Sequence, residues 1–309
     1  MSKVVVTGGA GFIGSHVAQE LVKRGYQVII IDNLATGRLS NIESFLSEKN
    51  VVSVRGSILN LPLLRKLFSG IDYVFHQAAV PSVPRSIKNP KASHTVNTTG
   101  TLNVLLAARD TGVKKVIFAS SSAVYGDTPT VPVKEDIVLN PHSPYAVTKL
   151  AGEHYCQVFQ SLYSLHTICL RYFNVFGTRQ DPNSPYAAVI PLFINNVLEG
   201  RSPVIFGNGE QTRDFTFIKD VAEANILAAE SSATGVFNIG SGTGVTINHL
   251  AQLVIRIVGD NTIKVIYQEA RPGDILHSVA DITKAKAFGY RPKYGLEEGL
   301  REVIKYLRM

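Results

Sequence analysis

The stretch VVVTGGAGFIGSHV, residues 4–17, leaves few folds open to the chain that contains it. The β-branched run Val4-Val5-Val6 suits a strand. The apolar pattern from Phe12 to Arg24, stopped by Gly25, suits a helix with a glycine cap. Between them the turn is nearly bare of side chains. A bare backbone can bend tightly and let a phosphate reach its N–H groups at the helix N-terminus. Gly9, Gly11 and Gly14 match G-x-G-x-x-G, and Gly8, Gly11 and Gly14 match the wider G-x-x-G-x-x-G. The acidic residue that such a turn wants at the end of the next strand, QVIIID, is Asp32. This context predicts a dinucleotide site in which Asp32 accepts from a ribose 2′-hydroxyl, favouring NAD over NADP. Arg38 pulls the other way, since an arginine there can hold a 2′-phosphate, but Asp32 repels that phosphate.

Strand and helix patterns alternate through the first half of the chain. After 27–32 come apolar strands at 50–54, 72–77 and 113–120, with helical stretches between them at 97–110 and afterwards at 141–160. Continuous apolar strands separated by helices predict an α/β fold with a doubly wound parallel sheet covered on both faces. Beyond Arg171, proline and glycine become frequent, which suits loops wrapped round a ligand, and 235–242 reads as a strand rejoining the sheet. At 309 residues the chain allows one large or two closely packed domains. We expect a cofactor domain of 1–173 with about 215–241, and a smaller substrate-binding domain of 174–214 with about 242–309.

Composition excludes several classes. With 45% hydrophobic and 18% charged residues the chain is neither disordered nor fibrous. No apolar stretch is long enough to span a bilayer and no signal peptide is visible, so a cytoplasmic protein without a membrane partner is expected. The net charge of +7 is scattered rather than clustered, which argues against nucleic acid and fits phosphorylated ligands. Cys156 and Cys169 lack metal-ligand spacing and read as buried apolar residues; no metal is expected.

SPYAVTK (143–149) places Tyr145 and Lys149 one helical turn apart, on one face. An ammonium beside a phenol favours the phenolate, which predicts a tyrosine pKa below the free value and a general base. FASSSAVYG (118–126) ends the fifth strand with three hydroxyls, at the edge where doubly wound sheets bind ligands. Ser121 or Ser122 is expected to hold the reacting hydroxyl against Tyr145, and Ser120 to turn the chain.

These stretches, with DNLATG (32–37), HQAA (76–79), VNTTGT (96–101) and LRYFNVFG (170–177), resemble the extended short-chain dehydrogenase/reductase family, in its nucleotide-sugar epimerase branch. Within the branch, SVPRSI (82–87), RYFNVFGTRQDPNSPYAAVIP (171–191), GNGEQTRDF (207–215) and RPGDILHSVAD (271–281) are most similar to UDP-N-acetylglucosamine 4-epimerases. The resemblance implies a Rossmann-like sheet with a smaller C-terminal substrate-binding domain, and a homodimer formed through 97–110 and 141–160, where Leu102, Leu105 and Leu106 follow helical spacing. It assigns the NAD site to Gly8, Gly11, Phe12, Ile13, Asp32, Asn33, Gly37, Ile58, Gln77, Ala78, Ala79, Asn97, Tyr145, Lys149 and Tyr172. It assigns the UDP-sugar site to Ser82, Arg85, Ser121, Ser122, Asn174, Gln180, Ala188, Val189, Val204, Arg213, Arg271, Asp274 and Ser278. One departure is Gly56-Ser57-Ile58, where the family often has Gly-Asp-Ile, the aspartate meeting adenine.

The implied reaction is inversion at C4 of a UDP-hexose through a transient 4-keto sugar, with NAD regenerated in each cycle. A 4,6-dehydratase would need an acid/base pair where this chain has Ser122-Ala123, since those enzymes resemble Thr-Asp-Glu-Val-Tyr-Gly there. A catalytically silent NAD sensor would not need the serine, Tyr145 and Lys149 together. The small Ser278, where a tyrosine resembles the arrangement restricted to UDP-glucose and UDP-galactose, leaves room for an N-acetyl group. UDP-glucose and UDP-glucuronate 4-epimerases, and then a dehydratase or decarboxylase, are the neighbouring alternatives.

Overall fold

The computed structural model describes residues 2–181, 188–259, 262–270 and 275–308. The chain opens with β1 (Lys3–Thr7), α1 (Phe12–Lys23), β2 (Gln27–Asp32), β3 (Val51–Arg55), α2 (Leu61–Phe68) and β4 (Tyr73–His76). Then come α3 (Val83–Lys88), α4 (Pro90–His94), a π-helical turn at Thr95–Thr99, α5 (Gly100–Thr111), β5 (Lys115–Ser121), α6 (Pro144–Tyr163) and β6 (His166–Tyr172). The second half carries β7 (Val175–Phe176), α7 (Val189–Leu198), β8 (Val204–Phe206), β9 (Thr212–Asp214), β10 (Thr216–Phe217), α8 (Ile218–Glu230) and β11 (Gly235–Ile239). It ends with β12 (Gly244–Thr246), α9 (Ile247–Val258), β13 (Ile266–Gln268), β14 (His277–Ser278) and α10 (Leu296–Leu307).

Seven strands pair in parallel in the order β11-β6-β5-β4-β1-β2-β3. The side-chain period of two sends Val4 and Val6 to one face, with Val17 and Leu21 of α1 and Val221 of α8. It sends Val5 to the other, with Leu64 and Phe68 of α2, Leu105 of α5 and Phe159 of α6. Each of these buried side chains contributes on the order of 2 kcal/mol. Double coverage explains why the strands read as unbroken apolar runs. The strand order reverses between β1 and β4, which opens a crevice above their carboxyl ends. Smaller sheets, β12-β9-β14, β13-β8 and β10-β7, lie beyond β6 in sequence.

Several expected elements shift. The helix expected at 97–110 begins as the π turn and continues as α5. That expected at 141–160 starts only at Pro144, because the Ser143 hydroxyl caps it by accepting the Ala146 N–H (3.2 Å). The strand expected at 235–242 stops at Ile239, since the next residues turn round Asp214, whose carboxylate accepts from Ser241 and Gly242. Leu105 is wholly buried, while Leu102 and Leu106 are partly buried and pack on the same core of the chain's own sheet. Of the two helices expected at an interface, α6 carries the exposed apolar side chains Val147, Val158 and Leu162. Both cysteines are buried in the core. Among the described residues no helix is long and apolar enough to cross a membrane.

Candidate active site

The glycine turn sits on the crevice between β1 and β4. Gly8 adopts φ +66°, and a Cβ there would lie 2.7 Å from the Ala78 backbone. A Cβ on Gly14 would lie 2.2 Å from the Gly8 carbonyl, so helix and strand meet only because both residues are bare. Gly11 is the N-cap of α1 and offers no side-chain cap, which leaves first-turn N–H groups free to meet an anion. Phe12 and Ile13 form that first turn, and Ile13 also lines the neighbouring cleft. Asp32 ends β2; its Oδ2 accepts the Ala10 N–H (3.0 Å) and its Oδ1 the Leu34 N–H (2.8 Å). Gly37 packs against that carboxylate, and the Asn33 side chain accepts the Ala35 N–H (3.0 Å). Arg38 turns instead to Asp181, 2.6 Å away. Bare backbone, uncapped helix N–H groups and a carboxylate at the strand end are donors for a diphosphate and an acceptor for ribose hydroxyls. The residues present fit a dinucleotide.

Other expected cofactor residues have different surroundings. Ile58 is buried against Gly100 at the start of α5. Ser57 accepts the Leu59 N–H (3.2 Å) within its own turn. Gln77 donates to the Tyr172 hydroxyl (3.1 Å) and to Asn225 (2.9 Å), a residue the sequence did not single out. Asn97 accepts the Val80 N–H (2.7 Å) and donates to the Val80 carbonyl and to Thr148. Its amide thus clamps the strip that carries Ala78 and Ala79. Below that strip lies a buried chain. Thr101 spends its only proton on the Asn97 carbonyl (2.5 Å), so His76 Nε2 must donate to Thr101 (2.9 Å). His76 Nδ1 then accepts from Thr7 (2.8 Å), and Thr7 accepts the Ala78 N–H (3.2 Å). Burial holds the His76 pKa down at about 3, with the nearby Lys149 charge adding to the effect.

α6 brings Tyr145 and Lys149 under the end of β5. The Lys149 ammonium is buried, donates to the Ala119 carbonyl (2.7 Å) and lies 5.9 Å from the centre of the Tyr145 ring. Burial lowers its pKa to about 8, and the charge of Glu153 works against that fall. The expected lowering of the Tyr145 pKa is not found. Burial raises it, the neighbouring Ser121 hydroxyl partly offsets this, and the lysine is tied to a carbonyl instead. This interaction also separates the two candidate serines: Ser121 is the one that meets Tyr145. Ser120 does not turn the chain; it lies in β5 and donates to the buried Glu153 (2.5 Å).

Beside this group opens a cleft of about 350 Å³. Its walls include Ser121, Ser122, Tyr145, Tyr172, Asn174, Arg213 and Ser278. Arg213 and Ser278 stand side by side because β9 and β14 pair in parallel at that register. Thr128 and His277, neither expected, also line the cleft. No carboxylate stands on its described walls. The remaining expected sugar residues lie off them. Ser82 caps α3 by accepting the Arg85 N–H (3.2 Å), and Arg85 is exposed. Gln180 leans toward the Val175 carbonyl (3.5 Å), and its own amide oxygen is buried without a partner among the described residues. Ala188 and Val189 begin α7, and Val204 begins β8. Arg271 and Asp274 lie outside the described residues.

Comparison with known proteins agrees with this geometry. Residues 4–240 match the model of the NAD dependent epimerase/dehydratase family. A protein of Methanocaldococcus jannaschii named putative UDP-glucose 4-epimerase is 39% identical over 99% of this chain and 98% of its own. A UDP-N-acetylglucosamine 4-epimerase from Methanobrevibacter ruminantium, solved with UDP-N-acetylmuramic acid, is 45% identical with a TM-score of 0.96, covering 99% of this chain and 98% of the other. A UDP-glucose 4-epimerase from Thermus thermophilus, solved with NAD, is 38% identical with a TM-score of 0.89, covering 99% of both chains.

Proposed function

Since the chain belongs to the NAD-dependent epimerase/dehydratase family, we propose that it is an isomerase that inverts C4 of a UDP-hexose, with the N-acetylated pair UDP-N-acetylglucosamine and UDP-N-acetylgalactosamine as preferred substrates. One observation carries the reaction class: Tyr145 and Ser121 face a hexose-sized cleft whose described walls hold no carboxylate. A 4,6-dehydratase needs a carboxylate there; Ala123 occupies the wall instead.

NAD, when bound, supplies the reversible oxidant for C4, and its holders are the glycine turn, Asp32 and the 77–79 strip. Tyr145 takes the proton of the 4-hydroxyl and returns it after the keto sugar has turned over. Ser121 holds that hydroxyl by hydrogen bonding. Lys149 supplies positive charge to the phenolate from a fixed point on the Ala119 carbonyl. Arg213 suits the diphosphate, since a planar guanidinium can engage two oxygens at once. A cleft whose described walls carry no carboxylate leaves the sugar without a strong anionic anchor, so that either face of C4 can present itself. We assign 1–173 with about 215–241 to the cofactor and 174–214 with about 242–309 to the sugar. A second copy of the chain against the exposed side chains of α6 would complete a homodimer.

The finer substrate assignment is supported by Ser278, whose short side chain lines the cleft next to Arg213. Gln180, whose buried amide oxygen has no partner among the described residues, is the side chain offered to an acetamido group. Incubation with UDP-N-acetylglucosamine, UDP-glucose and UDP-glucuronate in separate reactions, followed by NMR at C4, tests the reading. Inversion of the acetylated sugar at the highest kcat/KM is expected. Ser278→Tyr should abolish that activity by steric clash and spare UDP-glucose; equal loss on both would remove Ser278 from specificity, and no inversion of any sugar would end the epimerase assignment.

A further inference from the structure

Three consecutive residues at the end of β5 each hold one turn of α6. The Ala119 carbonyl accepts from Lys149, the Ser121 hydroxyl meets Tyr145, and the Ser120 hydroxyl donates to Glu153. Tyr145, Lys149 and Glu153 follow at helical steps and share one face. The first two belong to the reaction just described. Glu153 has no part in it, yet its side chain is only 2% exposed.

Arg171 of β6 grips Glu153 with two parallel bonds, Nε to Oε1 (2.9 Å) and Nη2 to Oε2 (2.7 Å). Its remaining reach goes to the Glu135 carbonyl (3.3 Å) and over the Tyr125 ring, 4.7 Å from the centroid. Tyr125 in turn donates to Asn238 (2.5 Å). A pair buried this deeply is weak support for stability, because apolar groups of similar volume often serve as well. It does place a fixed negative charge one helical turn from Lys149.

We propose that Glu153, held by Arg171, is a positioning residue for the catalytic pair: it fixes the β5–α6 register in which Tyr145 meets Ser121 and supplies the anion that keeps Lys149 an ammonium. The groups that feel this charge are Lys149 on α6, Arg171 and Cys169 on β6 and Tyr125 beyond β5; Cys156 lies against Cys169, Glu135 acts on Tyr125, and Tyr145 and His76 lie near Lys149. Arg171 stays charged and His76 neutral across the working range, so Lys149 is the group that responds when Glu153 loses its charge. The direction follows: without the anion, burial alone acts on Lys149 and its ammonium is lost at lower pH.

The proposal rests on the roles given to Tyr145 and Lys149, so Tyr145→Phe is measured alongside. Full turnover in that variant would overturn those roles themselves. Glu153→Gln is expected to move the alkaline limb of the kcat profile down by about one pH unit, which lowers kcat about five-fold at pH 8, with KM nearly unchanged. An unmoved limb in the folded variant overturns the proposal. Glu153→Met combined with Arg171→Met removes the unpaired arginine as well; it should recover thermal stability without recovering the limb. Recovery of both would show the pair to be merely structural and overturn the proposal. Ser120→Ala leaves the ion pair in place and decides the matter if neither variant folds. About a three-fold loss of kcat at constant KM supports the proposal, and unchanged kcat overturns it.

Discussion

At the cofactor crevice the deciding residues come from three short stretches, 7–14, 32–37 and 77–80, each directly after a strand of one parallel sheet. At the sugar cleft they come from the ends of β5 and β6, from β9 and from β14, and Arg213 meets Ser278 only because two distant strands pair. The interiors differ as well. The crevice is braced by the neutral His76 in a chain of threonine hydroxyls. The three-stranded sheet beside the cleft is braced by Asp214, a wholly buried carboxylate. It accepts from the Ser241 N–H and hydroxyl (2.7 Å each), the Gly242 N–H (3.0 Å) and the Ala280 N–H (3.1 Å). A strand end fixes its own next few residues, so one side is built locally. The other is built by register, and each part needs the rest in place.

Tyr145 stands where the two sides meet, and its removal should be the largest single effect. Tyr145→Phe keeps the ring and deletes the proposed base, and turnover should fall at least ~100-fold, the lower range for a positioned general base. NAD affinity, measured by titration of the purified protein, should hardly change, because the crevice is complete without the phenol. Joint loss of turnover and NAD binding would break the separation of the two sides.

Acid should divide the sides in another way. His76 is held near 3 and His16 on α1 near 4, both by burial, against an unfolded value of 6.5. The unfolded chain therefore takes up these protons first, so their stabilising contribution is whole above pH 6.5 and drains away as pH falls toward those values. At pH 5 the loss is about 2 kcal/mol for each histidine. Asp214 has the opposite sign: burial raises its pKa, so protonation favours the folded state and acid relieves it. Hydrogen exchange corrected for intrinsic rates should show amides of β4 and α5 losing protection from pH 7 to pH 5, while those of Ser241, Gly242 and Ala280 hold. Equal loss in both places would erase the contrast.

The same contrast explains what is legible in the sequence. The glycine turn, Asp32 and the Tyr145–Lys149 pair can be read there because spacing within one element fixes their geometry. The choice between Ser121 and Ser122 cannot, since it depends on which hydroxyl the pleat of β5 aims at α6. Glu153 is in view at the next step of the Tyr145–Lys149 face. A carboxylate on a helix reads as solvent-facing until Arg171, on a different strand, is brought to it. Asp214 is hidden for the same reason. The tyrosine pKa goes the other way from its expectation because sequence spacing reports the nearness of a charge and says nothing of burial.

Arg38 offers the smallest effect and the finest test, because it bridges the two sides. Its backbone N–H donates to the Ala10 carbonyl in the glycine turn (3.0 Å), while its guanidinium reaches Asp181, beyond β7 (2.6 Å). In sequence it is the one residue that argues for NADP. In the structure its charge is spent on Asp181, and the carboxylate of Asp32 remains as the group set against a 2′-phosphate. The pair is open to water, its side chains 58% and 37% exposed, and such pairs contribute only about 0–1 kcal/mol. Arg38→Ala keeps the backbone bond and removes the bridge, so NAD affinity and sugar KM should each move less than about three-fold, with NAD still preferred. A larger loss confined to NADP would show that the guanidinium leaves Asp181 for the cofactor, and a larger loss in sugar KM would show that the bridge holds the two sides in alignment.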